Sequence, residues 1–181
     1  MGVTCILSSA NPAQVKLLKA SPRLVDAFLD AAAETDPPPR TWIQRLVGRA
    51  IPKEILAVEN SMRTDLDKAW HGIHFLLTGS ADEAPLPAGM LLSGGEPLAG
   101  ASHLLAPSQV AECHQFLSGL TDEQVSSAYD PARMDELDIY PNFWVRDGQE
   151  GLGYLLGNLQ ILRAVLRDCV DEGHGLVITI E

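Results

Sequence analysis

Leu176-Val177-Ile178-Thr179-Ile180 is a short run of apolar and β-branched residues that follows a helix-stopping Gly173, and it reads as a strand buried on both faces. Val3 to Ser8 reads the same way near the other end of the chain. Two apolar strands of this kind fit as neighbours inside one sheet that carries helices on its faces. Helix signals fill the space between them. Asn11-Pro12 supplies an N-cap and a first-turn proline for a helix to about Ala20, and Ser21-Pro22 repeats the signal for a second helix through Ala33. Pro107 to Leu117, Thr121 onward and Pro131 to Leu137 give three more. Asp147 to Glu172 holds the longest helix: Leu152, Leu155, Leu156, Leu159, Leu162, Leu166 and Cys169 recur at three- and four-residue steps and place one stripe on the core. The expected fold is a single α/β domain over residues 1–181, with a central sheet that includes both terminal strands and is layered with helices.

Thr35 to Arg40 contains three consecutive prolines and reads as a stiff extended connector. A short amphipathic helix with Trp42, Ile43, Leu46 and Val47 is expected to follow it.

The 181 residues carry a formal charge of −11, and the charge is uneven. Residues 1–68 hold nine Lys/Arg against eight Asp/Glu, whereas residues 69–181 hold four against sixteen. A field of that sign repels phosphate backbones and argues against nucleic-acid binding. No segment approaches the ~18 consecutive apolar residues of a membrane span. The opening residues lack a basic n-region, and Ile6 stands where a myristoylation motif needs Ser or Thr. A cytoplasmic location is expected, as a monomer or homodimer. Cys5, Cys113 and Cys169 are widely spaced, form no CxxC pair and read as buried reduced thiols.

The densest chemistry lies in Asp65-Leu66-Asp67-Lys68-Ala69-Trp70-His71-Gly72-Ile73-His74-Phe75-Leu76-Leu77-Thr78-Gly79. Read as one helix at about 100° per residue, it places Leu66, Trp70, Ile73 and Leu77 on a core stripe. Asp67, His71, His74 and Thr78 form a polar stripe beside it. Gly72 lies behind both and permits close packing. Thr64 and Asp67 match a capping box, with Asp in place of Glu, which offers Asp67 a structural role. Three readings stand for the imidazoles: metal ligands with Asp67, acid–base groups, or hydrogen-bonded residues that fix the helix to neighbouring loops. No recognised metal-ligand spacing or cofactor motif accompanies them, so neither a metal nor a cofactor is expected.

Elsewhere, Gly94-Gly95-Glu96-Pro97 reads as a turn. Asp130-Pro131 is a cap with a first-turn proline, and Asp135, Glu136 and Asp138 read as a solvated acidic edge. Tyr140-Pro141-Asn142-Phe143-Trp144 gathers aromatics in a loop that lids a core or lines a cleft. Gly153 and Gly157 bracket one helical turn and are read as allowing another element to pack closely.

The Met1-Gly2-Val3-Thr4 opening, Leu66-Asp67-Lys68-Ala69-Trp70-His71-Gly72-Ile73-His74 with Leu76-Leu77-Thr78-Gly79, and Gly94-Gly95-Glu96-Pro97 together resemble the YfbM family. So do Asp130-Pro131 with Met134 and Ile139-Tyr140-Pro141 with Trp144. The resemblance spans the chain in order. It implies a compact single-domain α/β fold in a bacterial protein of unknown function, and it brings no established activity, substrate or cofactor.

Three functions compete. The first is a binding module whose small-molecule or peptide cleft uses Trp70, His71, His74, Tyr140 and Trp144, with Asp67, Thr78 and Glu96 as further pocket candidates. The second is an acid–base hydrolase using Asp67, His71 or His74 with Glu96. The third is an acidic interaction protein for a basic partner. Burial and pairing of the two histidines discriminate the first two: imidazoles tied to backbone groups in the interior leave no acid–base pair.

Overall fold

The computed structural model describes residues 2–33, 51–56 and 62–181. The expected connector at 35–40 and the helix around Trp42 to Val47 lie outside the described residues. The chain runs β1 (Cys5–Ala10), α1 (Pro12–Ala20), a 3-10 turn (Pro22–Leu24), α2 (Val25–Ala33) and β2 (Arg63–Asp65). A second 3-10 turn (Asp67–Ala69) leads into α3 (Trp70–Thr78), followed by β3 (Glu96–Pro97) and β4 (Ser102–Leu105). Helices α4 (Pro107–Ser118), α5 (Asp122–Ser126), α6 (Pro131–Glu136) and α7 (Trp144–Glu172) precede β5 (Gly175–Ile180).

One antiparallel sheet has the order β2-β1-β5-β4-β3. The two terminal strands are therefore neighbours in its middle, as their apolar composition implies. β1 runs against β5 from Cys5 opposite Ile180 to Ala10 opposite Gly175. The other side of β5 pairs with β4, with Ser102 opposite Thr179 and Leu105 opposite Leu176. Side chains alternate across the sheet with period two. Cys5, Leu7, Leu105, Leu176 and Ile178 join one apolar cluster with residues of α3, α4 and α7. Ala10, Leu104 and Val177 join the other, against Val15 and Leu18 of α1 and Val25 and Phe28 of α2. Helices thus cover both faces of an α/β fold. Among the described helices, none is long and apolar enough to cross a membrane.

The capping signals resolve as hydrogen bonds. The Asn11 side chain accepts from the Ala13 and Gln14 amides, and Gln14 Oε1 accepts from the Asn11 amide in return. Thr121 and Gln124 make the same reciprocal pair at α5, and Asp130 Oδ1 accepts from the Arg133 amide at α6. Asp135, read as part of a solvated edge, has a different task. Its two carboxylate oxygens accept from the Trp144 and Val145 amides at 3.0 and 3.1 Å. It thereby satisfies otherwise orphaned donors at the start of α7 and places negative charge at the positive end of the helix dipole.

Helix α7 buries Leu155, Leu159, Leu162, Leu166 and Cys169, whereas Leu152 and Leu156 flank the stripe half-buried. Its first turn is offset from the rest at Gly148, whose φ of 50° and ψ of −118° no helix accommodates. The Tyr129 hydroxyl donates to the Gly148 carbonyl there at 2.8 Å. The expectation for Gly153 and Gly157 fails: among the described residues, a Cβ on either would meet nothing within 4 Å. These residues are exposed on α7, about a third to a half turn from its buried leucines. The close approach belongs to Gly151, where a Cβ would come 2.8 Å from the Tyr129 hydroxyl.

Gly72 has the packing role its helix position implies. A Cβ there would lie 2.6 Å from Leu155 Cδ2 and 2.8 Å from Trp144 Cη2, both on fully buried side chains. Gly72→Ala gains about 1 kcal/mol of helix propensity, but overpacking against a rigid buried indole costs about 1–3 kcal/mol. We expect a lower urea midpoint for this variant, with the slope of the transition unchanged.

Candidate functional site

The run Asp65 to Gly79 is not one helix. Thr64 lies in β2 opposite Leu7, so its backbone is extended and cannot begin a helical turn. The chain pivots at Leu66, which is fully buried, and Asp67 takes a left-handed φ of 49°. The capping box of Thr64 and Asp67 is therefore not made. Instead, the Asp65 carboxylate accepts from the Asp67 amide at 2.6 Å, and α3 starts at Trp70 without a side-chain cap.

The polar stripe of α3 exists, and backbone groups consume it. His71 Nε2 lies 3.0 Å from the Ala81 carbonyl, and its Nδ1 accepts from the Tyr140 amide at 2.9 Å. An acceptor at one nitrogen and a donor at the other fix a neutral imidazole protonated on Nε2. His74 is fully buried; its Nε2 lies 2.8 Å from the Asp82 carbonyl, and its Nδ1 has no partner among the described residues. Burial pushes both imidazoles below the ordinary histidine range, against the raising effect of these carbonyls. Thr78 Oγ1 donates to the His74 carbonyl at 2.8 Å and accepts from the Ser80 amide at 3.1 Å.

Trp70, His71 and Tyr140 do come together. The indole stacks on His71 at 4.9 Å and on Tyr140 at 5.9 Å between ring centroids. Trp70 Nε1 donates to the Val3 carbonyl, while the Tyr140 hydroxyl accepts from the Val3 amide at 2.8 Å. This cluster clamps the approach to β1. Trp144 has no exposed surface and donates to the Ile139 carbonyl at 2.7 Å, so it presents nothing to a cleft. Glu96 is exposed on the edge strand β3, and among the described residues no hydrogen bond or ion pair joins it to either imidazole.

Of the sequence candidates, Asp67 lines an open groove. A depression of about 340 Å³ lies between the 3-10 turn and the start of α7, bounded by Asp67, Lys68, Phe143, Asp147, Glu150 and Tyr154. The Tyr154 hydroxyl donates to Asp67 Oδ2 at 2.9 Å and accepts from the Lys68 amide at 3.1 Å. Burial, then the Asp67 carboxylate, raises the Tyr154 phenol, which stays protonated. Arg146 chelates Asp147 at 2.6 and 3.1 Å, and its guanidinium lies 5.1 Å from the centre of the Phe143 ring. The signal that would have found this wall is present in the sequence: Asp147, Glu150, Gly151 and Tyr154 follow helical spacing on the flank of the leucine stripe.

A second depression, of about 290 Å³, contains Cys169 beside Asp168, Glu172 and His174. Burial pushes the Cys169 thiol up to about 12, so it is neither a nucleophile nor an anionic ligand at neutral pH. Among the described residues, no group of three or more His, Cys, Asp or Glu side chains is arranged to hold a metal ion.

The model of a family described as Domain of unknown function (DUF1877) matches residues 1–179. The chain belongs to this family. Its fold is similar to that of a protein of unknown function, YfbM from Escherichia coli, with a TM-score of 0.67. Sequence identity is 16%, and the alignment covers 98% of this chain and 99% of the other. No curated protein matches the sequence. The DUF1877 match and the structural match agree with the family read from the Asp67–Gly79 run, and neither carries an established activity.

Asp67 supplies a test of the groove's construction. A left-handed φ costs a non-glycine residue about 1–2 kcal/mol, and Gly relieves that cost. Asp67→Ala retains the backbone cost and loses the Tyr154 bond, whereas Asp67→Gly loses only the bond. Chemical denaturation is expected to show Asp67→Gly more stable than Asp67→Ala by about 1 kcal/mol.

Proposed function

We propose that this protein is a binding module rather than an acid–base enzyme, and that the groove beside Asp67 takes a ligand carrying a guanidinium or ammonium group. The observation that carries this reading is Asp67. A carboxylate held at a left-handed φ of 49° and oriented by the Tyr154 hydroxyl stands on the rim of an open depression. Strained backbone at a groove of this kind is a recurrent feature of ligand sites.

Charge and shape set the ligand class. With Asp147 paired to Arg146, Asp67 and Glu150 still outnumber Lys68 in the lining, and Phe143 adds an aromatic surface. Carboxylate with aromatic surface is the pairing that recognises a planar cation. Arg146, spread over Phe143 and chelated by Asp147, is an internal example of the same chemistry. The ligand is a small molecule or the basic side chain of a peptide. An acidic interaction surface for a basic partner would use this same recognition, and the excess of negative charge after residue 68 favours such encounters. The hydrolase reading loses its support because His71 spends both nitrogens on backbone groups and His74 is closed off from solvent. Three separated buried thiols are consistent with a reducing, cytoplasmic setting for one domain spanning residues 1–181.

Nα-acetyl-arginine amide and its neutral isostere Nα-acetyl-citrulline amide separate the possibilities at low salt. The arginine compound is expected to give saturable amide NMR shifts centred on Asp67, Glu150 and Tyr154, while the citrulline compound gives none. Asp67→Asn should weaken the arginine interaction about two- to fivefold, the range of an exposed ion pair. Equal binding of the two compounds, or shifts centred elsewhere, would overturn the proposal.

A further inference from the structure

His71 joins three separate pieces of chain. Its own helix is α3, its Nε2–H reaches the Ala81 carbonyl in the loop after that helix, and its Nδ1 receives the Tyr140 amide from the connector before α7. The Tyr140 hydroxyl in turn holds the Val3 amide ahead of β1. The same connector carries Phe143, a wall of the groove. One turn along, His74 repeats the bond to the next carbonyl, Asp82, with its remaining nitrogen buried and unpartnered.

This arrangement works with one protonation state only. A proton added at His71 Nδ1 would turn that nitrogen into a donor pointing at the Tyr140 N–H, another donor, so the bond must break. A proton added at His74 Nδ1 would place a charge and an unsatisfied donor in the interior. We propose that the His71–Tyr140 contact is an acid-sensitive latch. Its protonation releases the connector that carries Tyr140 and Phe143, together with the Val3 segment that Tyr140 holds.

The groups facing the imidazoles set the strength of the latch. On α3, His71 and His74 oppose each other's charging. From the loop, the exposed Asp82 carboxylate favours charging of His71 but lies outside the buried layer. The connector meets His71 through the Tyr140 amide. Desolvation of both rings outweighs Asp82, and their titration is displaced to lower pH in the closed state.

The sign follows directly. The released state binds a proton near the ordinary histidine value of about 6.5, and the closed state binds it only at lower pH. The closed state is therefore fully favoured above about pH 6.5 and loses ground as the pH falls below it. This inference concerns the fold around His71 and stands whether or not the groove binds a cation.

Amide hydrogen exchange of the full chain at pH 7.5 and 5.5, corrected for the chemical exchange rate, reads the latch at Tyr140 and Val3. Opening of both amides is expected to rise up to about tenfold at pH 5.5, the ratio set by an open-state value near 6.5. Interior amides of β5 should change less. His71→Asn keeps an acceptor for the Tyr140 amide and cannot titrate at this position, so its opening should rise less at pH 5.5 than that of the unsubstituted protein, leaving only what His74 contributes. Nitrogen-15 shifts of the His71 ring are expected to report Nδ1 as unprotonated at pH 7.5. Unchanged Tyr140 protection at pH 5.5 in the unsubstituted protein, or a His71 ring protonated on Nδ1 at pH 7.5, would overturn the latch even if the variant failed to fold.

Discussion

The antiparallel pairing of β1 with β5 is the constraint on which everything else rests. It brings Cys5 opposite Ile180, so the middle of the sheet is built from opposite ends of the sequence. Such a contact closes almost the whole chain into a loop, and its entropy cost must be met before any long-range contact offsets it. The compensation is burial on both faces: Leu7, Leu176, Val177 and Ile178 have no exposed surface. Each contributes about 1.5–3 kcal/mol by leaving water. Helices α1 and α2 cover one face, while α3, α4 and α7 cover the other.

That sheet also decides what the histidine-bearing helix does. β2 pairs with β1 and ends at Asp65, and the buried Leu66 anchors the pivot into α3. Gly72 then lets α3 sit directly on Trp144 and Leu155. With one face pressed into the core, the imidazoles beside it have little access to water. Backbone carbonyls and an amide are the partners within reach; they fix His71 as a neutral connector, while burial disfavours charge on His74. A helix that looks chemically rich thus acts mainly as a fastening point for the loop at 79–82 and the connector at 139–143.

The groove arises where this packing is imperfect. The offset at Gly148 turns the first residues of α7 away from the helix axis, and Tyr129 and Asp135 hold them there. The space left beside the Asp67 turn is lined by charged groups and two aromatic rings instead of aliphatic side chains. Asp67 and Lys68 are shared between the chemically dense run and this opening, and Asp67 stands there with a backbone that is not helical.

The sequence by itself determined the layered α/β character, most helix boundaries and the leucine stripe of α7. Each follows from local rules: β-branched runs, capping residues, three- and four-residue spacing. It also determined the family and the tight seat of Gly72. Only the tertiary structure decided the roles of the polar residues. A hydrogen-bonding side chain has no preferred partner until other segments meet it: Ala81 and Asp82 come from the loop just after α3, whereas Tyr140 reaches His71 from far along the chain. The same reason explains Asp135 as a helix cap, Asp67 as a left-handed rim residue and Tyr154 as its partner. Hydrophobic periodicity is written along the chain, whereas polar satisfaction is settled between segments, and it is there that the candidate site was decided.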